Sequence, residues 1–402
     1  MSQLLPSNQQ PQSLEPRNAA SGVQLFAAFL RLGLTAFGGP AMVAYIRELA
    51  VTKKQWLSEE SFRDGASLCQ SIPGATAMQT AAYVGLRAGG PLGALASFVG
   101  FGLPAFLLMV GLSVVYQAAH ELGPVISAFR GLQVIVIAII ANAALTFGRS
   151  SVKNWRDVLL ATGAAVFLGL RGSPILAIAA AAALGLILYR GRPEQDPETR
   201  PPQRERLWRQ MLMPAILALV IASGLGVLLL TDRKLFDLSA LMLKIDLFAF
   251  GGGFASVPLM LHEVVEVRQW MDSKTFMDAI ALGQVTPGPI VITATFVGYQ
   301  IAGLLGAVAG TISIFAPSFF MVTVTAPYLD RLKDSVLFRG ALRGVLASFV
   351  GLLFAVAVRF GLDVSWTVPS ILMAAAAFVA LRLKVDILWV VLVGGAMSVL
   401  IL

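Results

Sequence analysis

The chain has 402 residues, 57% of them hydrophobic and 13% charged, with a formal net charge of +8 and a mean hydropathy of +0.79. Soluble domains carry about a quarter charged residues, so this composition excludes an ordinary soluble enzyme and indicates a polytopic membrane protein. One cysteine, Cys69, and two histidines, His120 and His262, leave little from which to build a disulfide, a metal centre or a Ser-His relay. In a membrane chain the positive charge reads as Lys and Arg in cytoplasmic loops rather than as nucleic-acid binding.

Residues 1–22 are polar, rich in Gln, Ser and Pro, and lack the basic-then-apolar order of a cleavable signal, so they are expected to form a disordered tail. An α-helix needs about 20 apolar residues to cross a bilayer. Apolar segments of that size predict spans near 23–46, 66–87, 92–117, 125–147, 157–170 and 174–189, which together make a first repeat over 23–189. A Pro/Arg/Glu-rich stretch at 190–209 reads as an exposed cytoplasmic linker, and the region 210–231 holds a connecting span. Further spans near 238–260, 278–300, 303–327, 341–360, 365–381 and 385–402 make a second repeat over 238–402 and bring the total to thirteen. The strict polar/apolar alternation of a membrane barrel is absent. The expected fold is therefore an all-α bundle of two homologous, inverted repeats with broken helices, lying as a multi-pass protein in the inner (plasma) membrane.

The repeat is written in the motifs. Phe37-Gly38-Gly39-Pro40, Gln55-Trp56, Asp64, Gln70 and Pro73-Gly74 return as Phe250-Gly251-Gly252-Gly253, Gln269-Trp270, Asp278, Gln284 and Pro287-Gly288, at an offset of 213 or 214 residues. Val84-Gly85, Gly93, Pro104 and Arg130-Gly131 likewise match Val297-Gly298, Gly306, Pro317 and Arg343-Gly344. Repeats that carry interrupted apolar segments at corresponding positions point to a transporter with its site between the two halves. Seven predicted spans separate the repeat starts, an odd number, which inverts one repeat relative to the other. Most loop charges agree, with basic residues at 149–156, 190–209, 331–343 and 382–384 on one side. One loop dissents: 47–64 carries Arg47, Lys53, Lys54 and Arg63 on the expected outer face. A re-entrant course for the Pro73-Gly74 segment would change the parity and move that loop inside.

Gly38, Gly39 and Pro40, and Gly251, Gly252 and Gly253, should break their helices, because proline lacks an N–H and glycine is a poor helix former. Broken backbone at membrane depth is tolerated where it lines a cavity, and a half-helix starting there aims its N-terminal amides at the contents. The second interruption, Gln70-Ser71-Ile72-Pro73-Gly74-Ala75-Thr76 against Gln284-Val285-Thr286-Pro287-Gly288-Pro289, adds side-chain donors. Four half-helix ends suit an anion; close helix packing is the alternative use of such glycines. Arg31 and Lys244 share a repeat position six residues before each Phe-Gly-Gly, where each either contacts the anion or snorkels to the interface. Asp246, whose repeat partner is Gly33, is a candidate proton carrier or a member of a structural ion pair. Asp64 and Asp278 read as helix-capping residues, Arg130 and Arg343 as headgroup anchors, Trp56 and Trp270 as interfacial residues, and Pro104 and Pro317 as kinks.

Taken together, these motifs resemble those of the chromate ion transporter family in its long-chain, two-domain form, over nearly the whole of 23–402. Two positions depart from the pattern: Ala75 stands where the family usually has a second proline, and Gly253 stands where the first repeat has Pro40. The resemblance implies an inner-membrane carrier that exports chromate by the proton-motive force and confers resistance. Such a carrier is expected to have no enzymatic activity and no cofactor, and to take the chromate dianion, protons and the lipid bilayer as its partners. A homodimer is one assembly open to such a carrier. No phosphate-binding Gly-Lys-Ser/Thr loop is present, which favours secondary transport. Sulfate is a tetrahedral dianion too, so sulfate or related oxyanion uptake shares every feature above. An anion channel or an intramembrane enzyme fits the residues less well.

Overall fold

The computed structural model describes residues 20–37, 41–119, 122–189, 204–328 and 335–401. Gly38-Gly39-Pro40, most of the polar tail and the linker stretch 190–203 lie outside the described residues. Among the described residues there are fifteen α-helices and no strand. The first seven are α1 (Gly22–Thr35), α2 (Ala41–Arg47), α3 (Glu59–Ser71), α4 (Thr76–Ala119), α5 (Gly123–Ser151), α6 (Trp155–Gly169) and α7 (Pro174–Leu188). Helix α8 (Arg204–Thr231) intervenes. The seven then recur as α9 (Arg233–Phe248), α10 (Ser256–Met260), α11 (Ser273–Val285), α12 (Thr293–Thr325), α13 (Val336–Asp363), α14 (Val368–Arg382) and α15 (Ile387–Ile401).

The repeat extends to backbone detail. Capping boxes start α6 (Asn154 with Asp157) and its partner α14 (Thr367 with Ser370). Gln55 and Gln269 both take φ +52°, and Arg171 and Lys384 take +63° and +65°. Each glutamine follows a π-helical stretch, Glu48–Lys53 or Leu261–Val267. The next residue closes that wide turn, Trp56 N–H on the Ala50 carbonyl at 2.8 Å and Trp270 N–H on the Val264 carbonyl at 2.9 Å.

The segments expected to span at 23–46 and 66–87, and their counterparts at 238–260 and 278–300, are not single helices. Each folds back on itself. Trp56 stacks on Phe29 at 6.4 Å, which returns the chain after α2 alongside α1. Tyr83 of α4 donates to the Ser61 carbonyl of α3 at 3.3 Å, which sets the start of α4 antiparallel to α3. A leg of 14 residues such as α1 is about 21 Å long at about 1.5 Å per residue, short of the roughly 30 Å hydrocarbon layer. Helix α4 then reverses again at Gly89-Gly90 and α12 at Ala302-Gly303, where the dihedrals leave the helical region. The Ser97 hydroxyl on the Ala81 carbonyl (2.8 Å) and the Thr295–Thr311 hydroxyl pair (2.6 Å) tie the two arms together. Pro104 and Pro317 lie inside α4 and α12, beyond these reversals.

Five helical stretches among the described residues are long and apolar enough to cross a membrane: Thr76–Ala119, Gly123–Ser151, Leu212–Thr231, Ile290–Tyr328 and Val336–Asp363. The repeats are interlocked rather than side by side. Helix α5 packs on α14 and α15 of the other repeat, α13 packs on α6 and α7, and α4 packs on α12. Small residues permit this closeness: a Cβ at Gly351 would collide with the Ala161 backbone carbonyl, and one at Gly344 with that of Ala181.

Several polar residues have other duties than those expected. Arg343, expected at the headgroups, has a second duty: its Nη2 and Nε bond both oxygens of the fully buried Asp157 at 2.9 and 3.1 Å, tying α13 to α6. Trp56 is buried against Phe29 instead of lying at an interface. Asp278 does not cap α11, a job done by Asp272. Its carboxylate accepts from Gln133 Nε2 (2.8 Å) and the Tyr116 hydroxyl (3.0 Å). Ser58, not Asp64, caps α3.

Candidate functional site

The breaks between hairpin legs meet at the centre through a reciprocal pair of backbone hydrogen bonds. Gly74 N–H donates to the Ala249 carbonyl at 2.9 Å, and Gly288 N–H donates to the Ala36 carbonyl at 3.0 Å. Gly74 and Gly288 are repeat partners, as are Ala36 and Ala249, so each repeat's second break is stitched to the other repeat's first. Gly74 and Gly288 take φ of +121° and +112°, and Gly251 and Gly252 take +90° and +100°. Side chains other than hydrogen are strained in this region, which is why these turns are spelled with glycine.

Beside the tips lies a cavity of about 400 Å³. Gln70 from the end of α3, Ala75, Thr76 and Ala77 at the start of α4, and Gly251, Gly252, Gly253 and Phe254 from the break before α10 form one side of it. Pro289 and Ile290 contribute from the tip after α11, and Thr146, Ser150 and Ser151 from α5 add hydroxyls. The first amides of α4 have no partner inside the helix, and the helix dipole adds about half a positive charge there. No charged side chain is among the described residues lining the cavity. It therefore offers hydrogen-bond donors and a partial positive potential, a neutral cradle for a small anion. Among the described residues no group of His, Cys, Asp and Glu side chains could hold a metal ion.

The structure brings together Gln70, Thr76, Gly251 and Gly252 of the residues singled out in the sequence, with Pro73 and Gly74 directly behind them. The Pro73 carbonyl accepts from the Gln79 side chain at 2.6 Å, which fixes the tip. The second-repeat set is arranged differently. Thr286 turns its hydroxyl back onto the Leu282 carbonyl at 2.8 Å, Gln284 is outside the cavity lining with its amide nitrogen buried and unpartnered, and Pro287-Gly288 packs toward Ala105. Gly38 and Gly39 lie outside the described residues. Neither Arg31 nor Lys244 lines the cavity. Arg31 is exposed, and Lys244 pairs with Glu263 at 2.8 Å, Glu263 also holding Arg268. Among the described residues Asp246 forms no ion pair: fully buried, it accepts a hydrogen bond from the Ser318 hydroxyl at 2.7 Å.

Sequence reasoning missed Thr146, Ser150, Ser151 and Ser318. The three α5 hydroxyls left no trace, because their repeat partners, Arg359, Asp363 and Val364, are of other types. Ser318 did leave one. It replaces Ala105 of the first repeat, as Asp246 replaces Gly33, and two small-to-polar exchanges at matched positions mark a contact.

A sequence profile of the family described as chromate transporter matches the chain twice, over residues 23–186 and 236–399. The chain is 43% identical to an uncharacterized transporter of Methanocaldococcus jannaschii, over 97% of this chain and 96% of that protein. It is 30% identical to a chromate transport protein of Pseudomonas aeruginosa (89% and 85% covered) and 31% identical to one of Cupriavidus metallidurans (90% and 88% covered). No solved structure matches.

Proposed function

The chain belongs to the chromate transporter family, and on that premise we propose that it exports chromate across the inner membrane, with the cavity at the crossed hairpin tips as the anion site. It is a multi-pass membrane transporter and not an enzyme. The observation that carries the assignment of the site is the convergence of the α4 amides, Gln70, Thr76 and the Gly251–Gly253 backbone on one neutral, polar-edged cavity. A tetrahedral dianion needs several donors at once, and donors fixed in place by the reciprocal Gly74 and Gly288 bonds bind it without reorganisation. Export is energetically reasonable, because an inside-negative potential drives an anion outward by about 2.3 kcal/mol per charge per 100 mV.

Alternating access between inverted repeats is the proposed mode of transport. The hairpins support it by removing the one dissenting loop. If α1–α2 and α3 with the start of α4 enter and leave on the same face, the crossings between the repeat starts fall by two and stay odd. Loop 47–64 then joins Arg149, Lys153, Arg156, the arginine-rich linker and Arg382 on one side, the cytoplasmic one by the positive-inside rule. Export of chromate by this chain should raise chromate tolerance in the cell that carries it.

The test is accumulation of labelled chromate in everted vesicles, with sulfate as competitor and with an uncoupler. Accumulation that the uncoupler abolishes and excess sulfate leaves intact is the expected result. Displacement by equimolar sulfate would reassign the substrate to oxyanions generally, and absence of accumulation would reject chromate export.

A further inference from the structure

Asp246, Ser318 and Ala75 form a chain of hydrogen bonds that links a buried carboxyl group to the wall of the cavity. The Ala75 N–H donates to Ser318 Oγ at 2.7 Å, and the Ser318 hydroxyl donates to Asp246 Oδ2 at 2.7 Å. Ala75 lines the cavity at the start of α4. Asp246 Oδ1 is buried without a partner among the described residues.

The unit occurs once. At the repeat-related positions, Gly33 stands for Asp246, Ala105 for Ser318, and Pro289 for Ala75. All three polar members are absent there together, down to the amide hydrogen, since proline has none. Pro289 is at the cavity as well, so the two repeats present the same tip with and without the relay. A purely structural bond at this crossing would be needed equally at the repeat-related one, and the equivalents there pack without it. Gly288 closes on Ala105 where Gly74 closes on Ser318.

From this we infer that Asp246 is the proton site of the transporter, that Ser318 is the residue coupling it to the anion cavity, and that a proton on Asp246 strengthens anion binding. This rests on the cavity being the anion site. The sign follows from charge. An ionised Asp246 places a full negative charge two hydrogen bonds behind the amides of the α4 tip and opposes a dianion there, while a protonated one does not. In a poorly screened interior an interaction of this kind is worth about tenfold or more in affinity. Linkage is reciprocal, so binding the dianion also draws a proton onto Asp246.

Among the described residues no charged side chain pairs with Asp246. Asp246 lies on α9, which packs against α8, α10 and α12. Among the described residues its hydrogen-bond partner is Ser318. Lys244 on its own helix and Arg268 are held by Glu263, and His262 by Glu266. Tyr116 and Arg87 of α4 are engaged with Asp278 and Tyr83. The species carried is then the dianion with one proton. Its remaining negative charge is still driven outward by the membrane potential.

The experiment is calorimetric titration of purified full-length protein with chromate, at a pH above chromate's own ionisation and in two buffers of different ionisation heat, which reads protons taken up per anion bound. Wild type should take up protons on binding. Asp246→Asn, which fixes the neutral form, should take up none and bind chromate about tenfold more tightly at that pH. Ser318→Ala, a residue the other repeat already accommodates at this position, should reduce the uptake while leaving the protein folded, and it serves if Asp246→Asn does not fold. Wild-type binding without proton uptake, or uptake that persists in both variants, overturns the inference and leaves the anion site standing. Failure of the wild-type protein to bind chromate at all overturns both.

Discussion

Thr76 brings a hydroxyl and a free helix-start amide to the cavity, beside Gly252, where a Cβ would lie 3.4 Å from its Oγ1. Thr76→Val keeps the shape and removes the hydroxyl. A hydrogen bond to a charged ligand is worth about 1.5–3 kcal/mol, so the KM for chromate in vesicle transport should rise about 10- to 100-fold with expression unchanged. An unchanged KM would take the hydroxyl out of the site. Arg31 supplies the contrast. Its placement away from the cavity predicts that Arg31→Gln transports chromate within about twofold of wild type at matched expression, as an exposed substitution should. Complete loss would return a cation to the anion's path. Both residues were visible in the sequence as members of repeated motifs, but their distance from the cavity was not.

The break after α11 illustrates what the helical elements contribute. Pro287 and Gly288 stop α11 and turn the chain so that Gly288 N–H reaches the Ala36 carbonyl of the other repeat. Pro287-Gly288→Ala-Ala favours helix continuation by about 3 kcal/mol at the proline and about 1 kcal/mol at the glycine. It also places a Cβ against Ala105 at a φ of +112°. Vesicle transport should fall further than the yield of folded protein, because the tip loses its crossing bond while the surrounding long helices remain. Equal losses in both measurements would mean that the break serves packing alone. That these segments are broken was legible from Gly and Pro inside apolar runs. Their reversal was not, because the composition of a broken span and of a re-entrant hairpin is the same. The direction of the chain after the break is decided by contacts such as Trp56 on Phe29.

For the whole molecule the hairpins carry a topological consequence. If α1 and α2 span, residue 53 is on the outer face; if they re-enter, it is cytoplasmic. Lys53 is well exposed and Cys69 is buried, so Lys53→Cys in the otherwise native chain gives one accessible thiol. A membrane-impermeant maleimide should label it in everted vesicles and not in intact cells. The opposite pattern would restore the spanning course. The interlocking of the repeats, α5 on α14 and α15 and α13 on α6 and α7, also bears on motion. Neither repeat forms an isolated rigid body, so any transition between faces has to be carried largely by the hairpins, which meet through only a few backbone bonds.

The sequence by itself determined the class, the duplication and the family. These depend on composition, on an offset of 213 or 214 residues kept along most of the chain, and on motifs whose residue types are local requirements: glycine where φ is positive, proline where a helix must stop. Tertiary structure decided which motifs meet. Four of the fourteen residues expected to contact the anion, Gln70, Thr76, Gly251 and Gly252, converge on the cavity, whereas Lys244 finds Glu263 and Thr286 bonds its own helix. A side chain's partner depends on how two distant segments cross, and that crossing is set by packing summed over many residues. The relay from Asp246 through Ser318 to Ala75 lies between these cases. Its members are separated by 72 and 243 residues along the chain, yet each is marked in the sequence as a departure from its repeat partner, Asp246 from Gly33, Ser318 from Ala105 and Ala75 from Pro289, because the repeat-related crossing has no use for it.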